Sequence, residues 1–133
     1  NPANVFVAGF IGMPPMNFYP MDILSKDKVS LFGKEFSINA CHVKALHPHV
    51  GKRILVGVRP EHFVVCPEGL DLTVDICEKL GTYSLVHGKI NGQKTIVKIK
   101  EWSELVKNDV IHVLPDWEAA NFFDLETKQA LER

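Results

Sequence analysis

At 133 residues, 46% of them apolar, the chain can bury one substantial core, and a second domain of ordinary size would be hard to accommodate. Its 15 basic and 16 acidic residues leave a formal charge of −1, which excludes a general electrostatic attraction to nucleic acid or anionic lipid and leaves proteins and small molecules as partners. Cys41, Cys66 and Cys77 form no C-x-x-C pair and fit a reducing compartment, while no apolar run approaches the roughly 18 residues that span a bilayer and no signal peptide opens the chain.

Residues 1–12 read as a helix, with Asn1 as cap, Pro2 in the first turn and Gly12 at the end. Val5, Phe6, Phe10 and Ile11 give it a wide apolar stripe that needs cover from another domain. Pro14, Pro15 and Pro20 make residues 12–20 an extended linker able to form neither helix nor central strand. The expected division is therefore a helix and linker over 1–20 and one β-domain over 21–133.

From residue 21 the pattern is β-rich. Residues 21–25 and 29–32 flank a Lys26-Asp27-Lys28 turn, and Gly33-Lys34 leads into 36–38. Residues 40–51 show no period. Further strands are expected over 53–58, 70–78, 83–90, 95–100 and 110–114. Leu72, Val74 and Ile76 alternate with Asp71, Thr73 and Asp75, giving one apolar and one wet face. Asn91-Gly92 marks a hairpin, since both residues tolerate the positive φ of a type I′ turn. Strands at this spacing without intervening helices predict an all-β small barrel or sandwich.

The apolar run Ile54-Leu55-Val56 continues into Gly57-Val58-Arg59-Pro60-Glu61-His62. Pro60 removes a backbone donor and pushes Arg59 toward extended backbone, so the strand stops there and presents Arg59, Glu61 and His62 at its end. Two readings follow. A local ion pair or hydrogen-bonded corner fixes how the strand leaves the sheet, with Arg59 and Glu61 paired to each other or to nearby backbone; the other is a catalytic acid or base. No catalytic context surrounds the stretch, which favours the corner.

This stretch resembles the G-(V/I)-R-P-E-H signature of the C-terminal accessory domain in ATP-binding subunits of bacterial ABC importers for maltose, oligosaccharides and glycerol phosphate. The opening Asn1-Pro2-Ala3-Asn4-Val5-Phe6-Val7-Ala8-Gly9-Phe10-Ile11-Gly12 is similar to the segment with which those subunits leave their ATPase domain. Met16-Asn17-Phe18, Leu80-Gly81 with Tyr83, Asn121-Phe122-Phe123-Asp124 and Thr127 extend the likeness along nearly the whole chain. Two departures stand out: the family commonly has His-Leu-Phe-Asp at 121–124, and Thr-Gly where this chain has Thr127-Lys128. Lys tolerates a positive φ far less well than Gly, so the geometry of the last turn is in question.

The resemblance implies a barrel of the oligonucleotide/oligosaccharide-binding type (OB fold), with part of the chain adopting the TOBE module that recurs in molybdate-binding proteins. It implies a regulatory and dimerising domain, with Arg59, Pro60, Glu61, His62, Gly81, Phe123 and Asp124 in structural or regulatory roles. The chain has no G-x-x-x-x-G-K-[ST] phosphate loop, no Leu-Ser-Gly-Gly-Gln-type signature and no strand ending in paired acids, so no catalytic residue is expected. Without an initiator methionine, it reads as an excised C-terminal fragment. ATP and magnesium are expected in the parent ATPase domain and no cofactor or metal here. Expected partners are a second copy through this domain, transmembrane permease subunits and a cytosolic inhibitor protein, at the inner face of the cell membrane.

Three other constellations compete with this reading. Cys41-His42 with His47-Pro48-His49 offers four metal-capable side chains, but at a spacing matching no common zinc pattern. Nucleic-acid binding is disfavoured because Lys79, Lys98 and Lys100 are offset by Asp71, Asp75, Glu78 and Glu101. Backbone donors near Gly81-Thr82 or Asn91-Gly92 could take an oxyanion, and a free-standing oxyanion- or polyamine-binding module is the alternative to the ABC-importer reading.

Overall fold

The computed structural model describes residues 15–38, 46–100 and 104–131. The N-terminal helix expected over 1–12 lies outside them. The described residues form two compact units, one running up to Val58 and resuming at Trp117, the other spanning Arg59–Asp116. The single domain expected over 21–133 is thus two cores in one chain. Each unit is built on one antiparallel sheet.

The first unit orders its strands β3-β2-β1-β4-β9, with β1 Asn17–Ser25, β2 Lys28–Leu31, β3 Lys34–Ser37, β4 Arg53–Val58 and β9 Asn121–Phe123. Along β1 every second residue, Asn17, Tyr19, Met21 and Ile23, is buried, the period that one covered face demands. β4 lies between β1 and β9 and is buried over all but its first residue. Phe32 and Gly33 take positive φ in the two-residue β2–β3 turn. The left-handed conformation costs a side-chain-bearing residue about 1–2 kcal/mol. An edge-on contact of the Phe32 ring with Tyr19, centroids 5.4 Å apart, offsets about 0.5–1.5 kcal/mol of that.

Residues 17–20, expected to be linker, are the first half of β1, with Pro20 inside the strand opposite Leu55. The sheet accommodates it through hydrogen-bond direction. Ile23 turns both its N–H and its carbonyl toward the chain entering β4, bonding Lys52 O at 2.9 Å and Gly51 N at 2.7 Å. Pro20, three residues earlier, therefore turns its missing donor to the β2 side, beyond the last paired position there, Asp22 with Ser30. A proline facing an unpaired flank costs the ladder nothing.

The second unit orders β7-β6-β5-β8, with β5 Phe63–Lys79, β6 Ser84–Ile90, β7 Gln93–Ile99 and β8 Val110–Pro115. Leu70, Leu72, Val74, Val86, Ile90, Val97 and Val113 are buried in it. The Asn91-Gly92 hairpin forms as the sequence predicts, with φ of 50° and 81°. β5 begins seven residues earlier than expected, because Val65 and Leu70 both stand opposite Val113 and the intervening bulge absorbs Pro67 and Gly69. Both sheets are open. Strand spacing leaves a small barrel or a sandwich open and the family resemblance implies a barrel; no closed barrel forms among the described residues.

Asp22 and Arg53 face each other across β1 and β4, with Arg53 Nε donating to Oδ1 at 2.8 Å and Nη2 to Oδ2 at 3.3 Å. The hydrogen bond from Arg53, helped by its charge and opposed by slight desolvation, holds the Asp22 carboxyl below its ordinary range. A lowered folded value means the stabilisation is full above the unfolded pKa near 4 and fades as pH falls through the folded value. Asp22→Asn is therefore expected to lower the melting temperature at pH 7 and to leave it unchanged near pH 2, measured by thermal unfolding at both values.

Candidate functional site

β4 ends at Val58, and Arg59, at φ −70° and ψ 150°, leads into a 3-10 turn at Pro60–His62 closed by His62 N–H donating to Arg59 O at 2.9 Å. The strand thus stops before the proline as expected. The His62 carbonyl accepts from Asp116 N at 2.8 Å, which ties the start of the second unit to its end. Of the two pairings expected for Arg59 and Glu61, with each other or with neighbouring backbone, the ion pair between them is not made. With three residues per turn, positions two apart point to different sides, and Glu61 stands exposed while Arg59 is half-buried. His62 Nδ1 is buried without a hydrogen-bond partner among the described residues.

The family-like segments that do converge lie around Gly57. A Cβ there would stand 2.5 Å from Met16 Sδ, 3.0 Å from the Phe123 ring and 3.1 Å from the Phe18 ring. Met16, Leu55 and Phe123 form a buried cluster, with Phe18, Leu125 and Ala130 packed against it. Phe18 meets Phe123 edge-on at 5.8 Å. Between them Asn17, itself buried, donates Nδ2 to Val58 O at 3.0 Å. Met16-Asn17-Phe18, the glycine of the signature and Phe123 are therefore one packing unit, whose parts lie up to 107 residues apart in the chain. Sequence reasoning singled out Phe123 but missed the role of Gly57, for which the one signal was an unexplained glycine in an otherwise apolar strand.

Asp124 follows directly. Its Oδ1 accepts from Thr127 N at 2.8 Å and Glu126 N at 2.9 Å, and these two backbone donors hold its carboxyl below the usual range. Asp124 O accepts from Lys128 N at 2.9 Å, and Asp124 N donates to Gln129 O at 2.8 Å. Lys128 has φ 63°, the positive value that the Thr-Lys departure from the family put in question, and its Nζ turns back onto Leu125 O.

Gly81 lies apart from these residues in sequence, in the loop joining β5 to β6, with φ 91°. Of the metal constellation, Cys41 and His42 lie outside the described residues, and His47 and His49 sit on a 3-10 turn. Among the described residues no three His, Cys, Asp or Glu side chains come together as a metal site. No described helix is long and apolar enough to cross a membrane. Among the described residues, the arrangement around the signature packs apolar side chains and turns the chain.

Gly57→Ala is expected to destabilise the protein by about 1–3 kcal/mol, since the Met16 sulfur must move aside and the two rings shift slightly for the added methyl group; chemical denaturation measures it. Lys128→Gly is expected to do the reverse. Relief of a left-handed Lys, about 1–2 kcal/mol, exceeds the extra unfolded-state entropy of Gly, leaving a gain of up to about 1 kcal/mol by the same assay.

Two family models match the chain: the MalK OB fold domain over residues 12–63 and the TOBE domain over residues 56–109. They overlap where the first unit passes into the second. Among curated relatives, the sn-glycerol-3-phosphate import ATP-binding protein UgpC of Bordetella avium is 34% identical over 86% of this chain and 32% of its own length. Those of Cereibacter sphaeroides and Vibrio cholerae are 34% and 33% identical, each over 98% of this chain and 36% of their own. The chain thus spans about a third of the length of the relatives it matches. With the signature at the end of β4, both domain models and this continuous similarity in agreement, the chain belongs to the family of MalK-type OB-fold and TOBE domains carried by the ATP-binding subunits of ABC importers.

Proposed function

We propose that this chain is the non-catalytic accessory part of an ABC-importer ATP-binding subunit for glycerol phosphate or a related solute, and that it holds two such subunits together. The observation that carries this reading is the similarity along 98% of the chain to about a third of each import ATP-binding protein, in a stretch that contains no phosphate loop or signature motif. In this reading ATP and magnesium bind in the ATPase domain, permease subunits place the assembly at the inner membrane face, and this chain contributes protein contacts.

The mechanical consequence follows from tethering. Two ATPase domains that close on ATP and reopen after hydrolysis would drift apart without a second contact. A lasting contact between accessory domains keeps the partner domain at an effective concentration on the order of millimolar, so closure repeats without a new encounter. A cytosolic inhibitor protein or a ligand that binds the open arrangement more tightly would slow the cycle through that difference in affinity alone. Supporting a protein-contacting surface, Val64, Val65, Ile76 and Val110 of the second unit are each at least half exposed.

Sedimentation equilibrium on the chain is expected to show a dimer at about 100 μM. Ile76→Asp or Val65→Asp is expected to weaken it at least tenfold with the circular dichroism spectrum unchanged. A monomer throughout that concentration range overturns the dimerising part of the reading.

A further inference from the structure

The outer face of the second unit's sheet carries two pairs of a histidine with a carboxylate. His112 on β8 stands opposite Asp71 on β5, and its Nδ1 lies 2.8 Å from Asp71 Oδ1. His87 on β6 stands opposite Ile76 on β5, and its Nε2 lies 3.2 Å from Oε1 of Glu78, two residues further along that strand. All four side chains are at least one-third exposed. We propose that these two pairs make the contact between two copies of the chain proton-dependent, so that the copies associate more tightly as the two histidines take up charge.

Strand register sets the pairs around an apolar centre. Val110 lies two residues from His112 on β8 and stands opposite Thr73, itself two residues from Asp71 on β5, so all four share one face. Val74 pairs with Gly88 while Ile76 pairs with His87, and the irregularity between Val74 and Ile76 thereby turns Ile76 outward. Val110 is 50% exposed and Ile76 61%. Two apolar side chains are thus bracketed along β5 by Asp71 with His112 at one end and Glu78 with His87 at the other.

The fixed charges nearby do not change in the range where histidine titrates. His87 faces Ile96 on β7, with Lys94 and Lys98 diagonal to it, Lys89 two residues along its own strand, and Asp75 and Cys77 in the same cleft. Lys89 stands opposite Thr73 and diagonal to Asp71. His112, on an outer strand, faces Asp71 directly; Glu68, further along β5, accepts from the Cys66 thiol, and Asp109, before β8, accepts from Val106 N. Asp71, Asp75 and Glu78 therefore make the β5 side of this face acidic while the imidazoles are neutral.

A second copy is the partner that this face fits, and here the inference rests on the dimerising reading above. A contact centred on Val110 and Ile76 gathers the carboxylates of both copies around it and strips them of water. Beside neutral imidazoles they repel across the contact; beside imidazolium each pair is neutral and its hydrogen bond stronger. The associated form then binds more protons than the separate copies. The sign follows from linkage: association strengthens as pH falls through the histidine range, about 6.5 for an unperturbed group, while carboxylates that ionise near pH 4 stay charged.

Sedimentation equilibrium of the chain at about pH 8 and about pH 6, at one ionic strength, tests this. The dimer Kd is expected to be at least fivefold lower at the acidic value. His87→Gln with His112→Gln is expected to bring that ratio below twofold with the circular dichroism spectrum unchanged. Should that variant unfold, Asp71→Asn with Glu78→Gln is expected to dimerise equally at both values. A dimer of equal Kd at both values overturns the proton dependence and leaves the dimerising reading standing. A ratio undiminished in a folded variant also overturns it, since other groups then carry the effect. A monomer at both values overturns the two together.

Discussion

The closure of Met16, Phe18 and Phe123 over the missing side chain of Gly57 is the contact on which the first unit depends. β4 is the strand shared by β1 and β9, and it has side chains to bury on both faces. At position 57 it contributes none, and the rings of two neighbouring strands fill the space. A core at native density has no slack for an added methyl group, so residue identity here is set by packing from three separate stretches of chain. Asn17 reinforces the arrangement by satisfying the Val58 carbonyl at the point where β4 ends.

This changes what the signature around residues 57–62 means physically. Its charged members carry little of the structure: Glu61 is exposed and makes no ion pair with Arg59. Its glycine and its proline carry more, one by admitting the Met16, Phe18 and Phe123 side chains and the other, buried in the 3-10 turn, by ending the strand. Positions that look chemical in a sequence can mark where backbone must approach or turn.

Local pattern made much of the fold legible. Residues 53–58 are a strand with the bounds that the apolar run and Pro60 predict, and Asn91-Gly92 turns a hairpin because Asn and Gly adopt positive φ at little cost. What escaped was decided by distant partners. Pro20 reads as a strand breaker until the direction of its missing donor is known, and the strand expected from residue 70 reaches back to Phe63 only because Val65 and Leu70 both pair with Val113 across a bulge. β9 is three residues long and has no period of its own; only its pairing with β4 makes it a strand. The candidate site divided in the same way. The substitution at Lys128 pointed to the last turn from one position, whereas the packing of Met16, Phe18 and Phe123 over Gly57 joins stretches far apart in the chain.

The chain leaves the first unit at Val58 and re-enters it at Trp117, so β4 and β9, hydrogen-bonded neighbours, are separated by the whole of the second unit. During synthesis the Phe123 ring is made last among the groups that cover Gly57, and that core stays open until the second unit has been produced. Bridging so long a span by unstructured chain carries a loop-closure entropy that grows with the logarithm of its length. Once folded, the second unit shortens the span, because Asp116 N–H bonds His62 O and Phe63 pairs with Pro115, which brings its entry and exit together. Order of assembly is thereby written into connectivity: the later half of the first core waits on a clasp made by its neighbour, and a lesion at that clasp would slow the formation of a core it does not belong to.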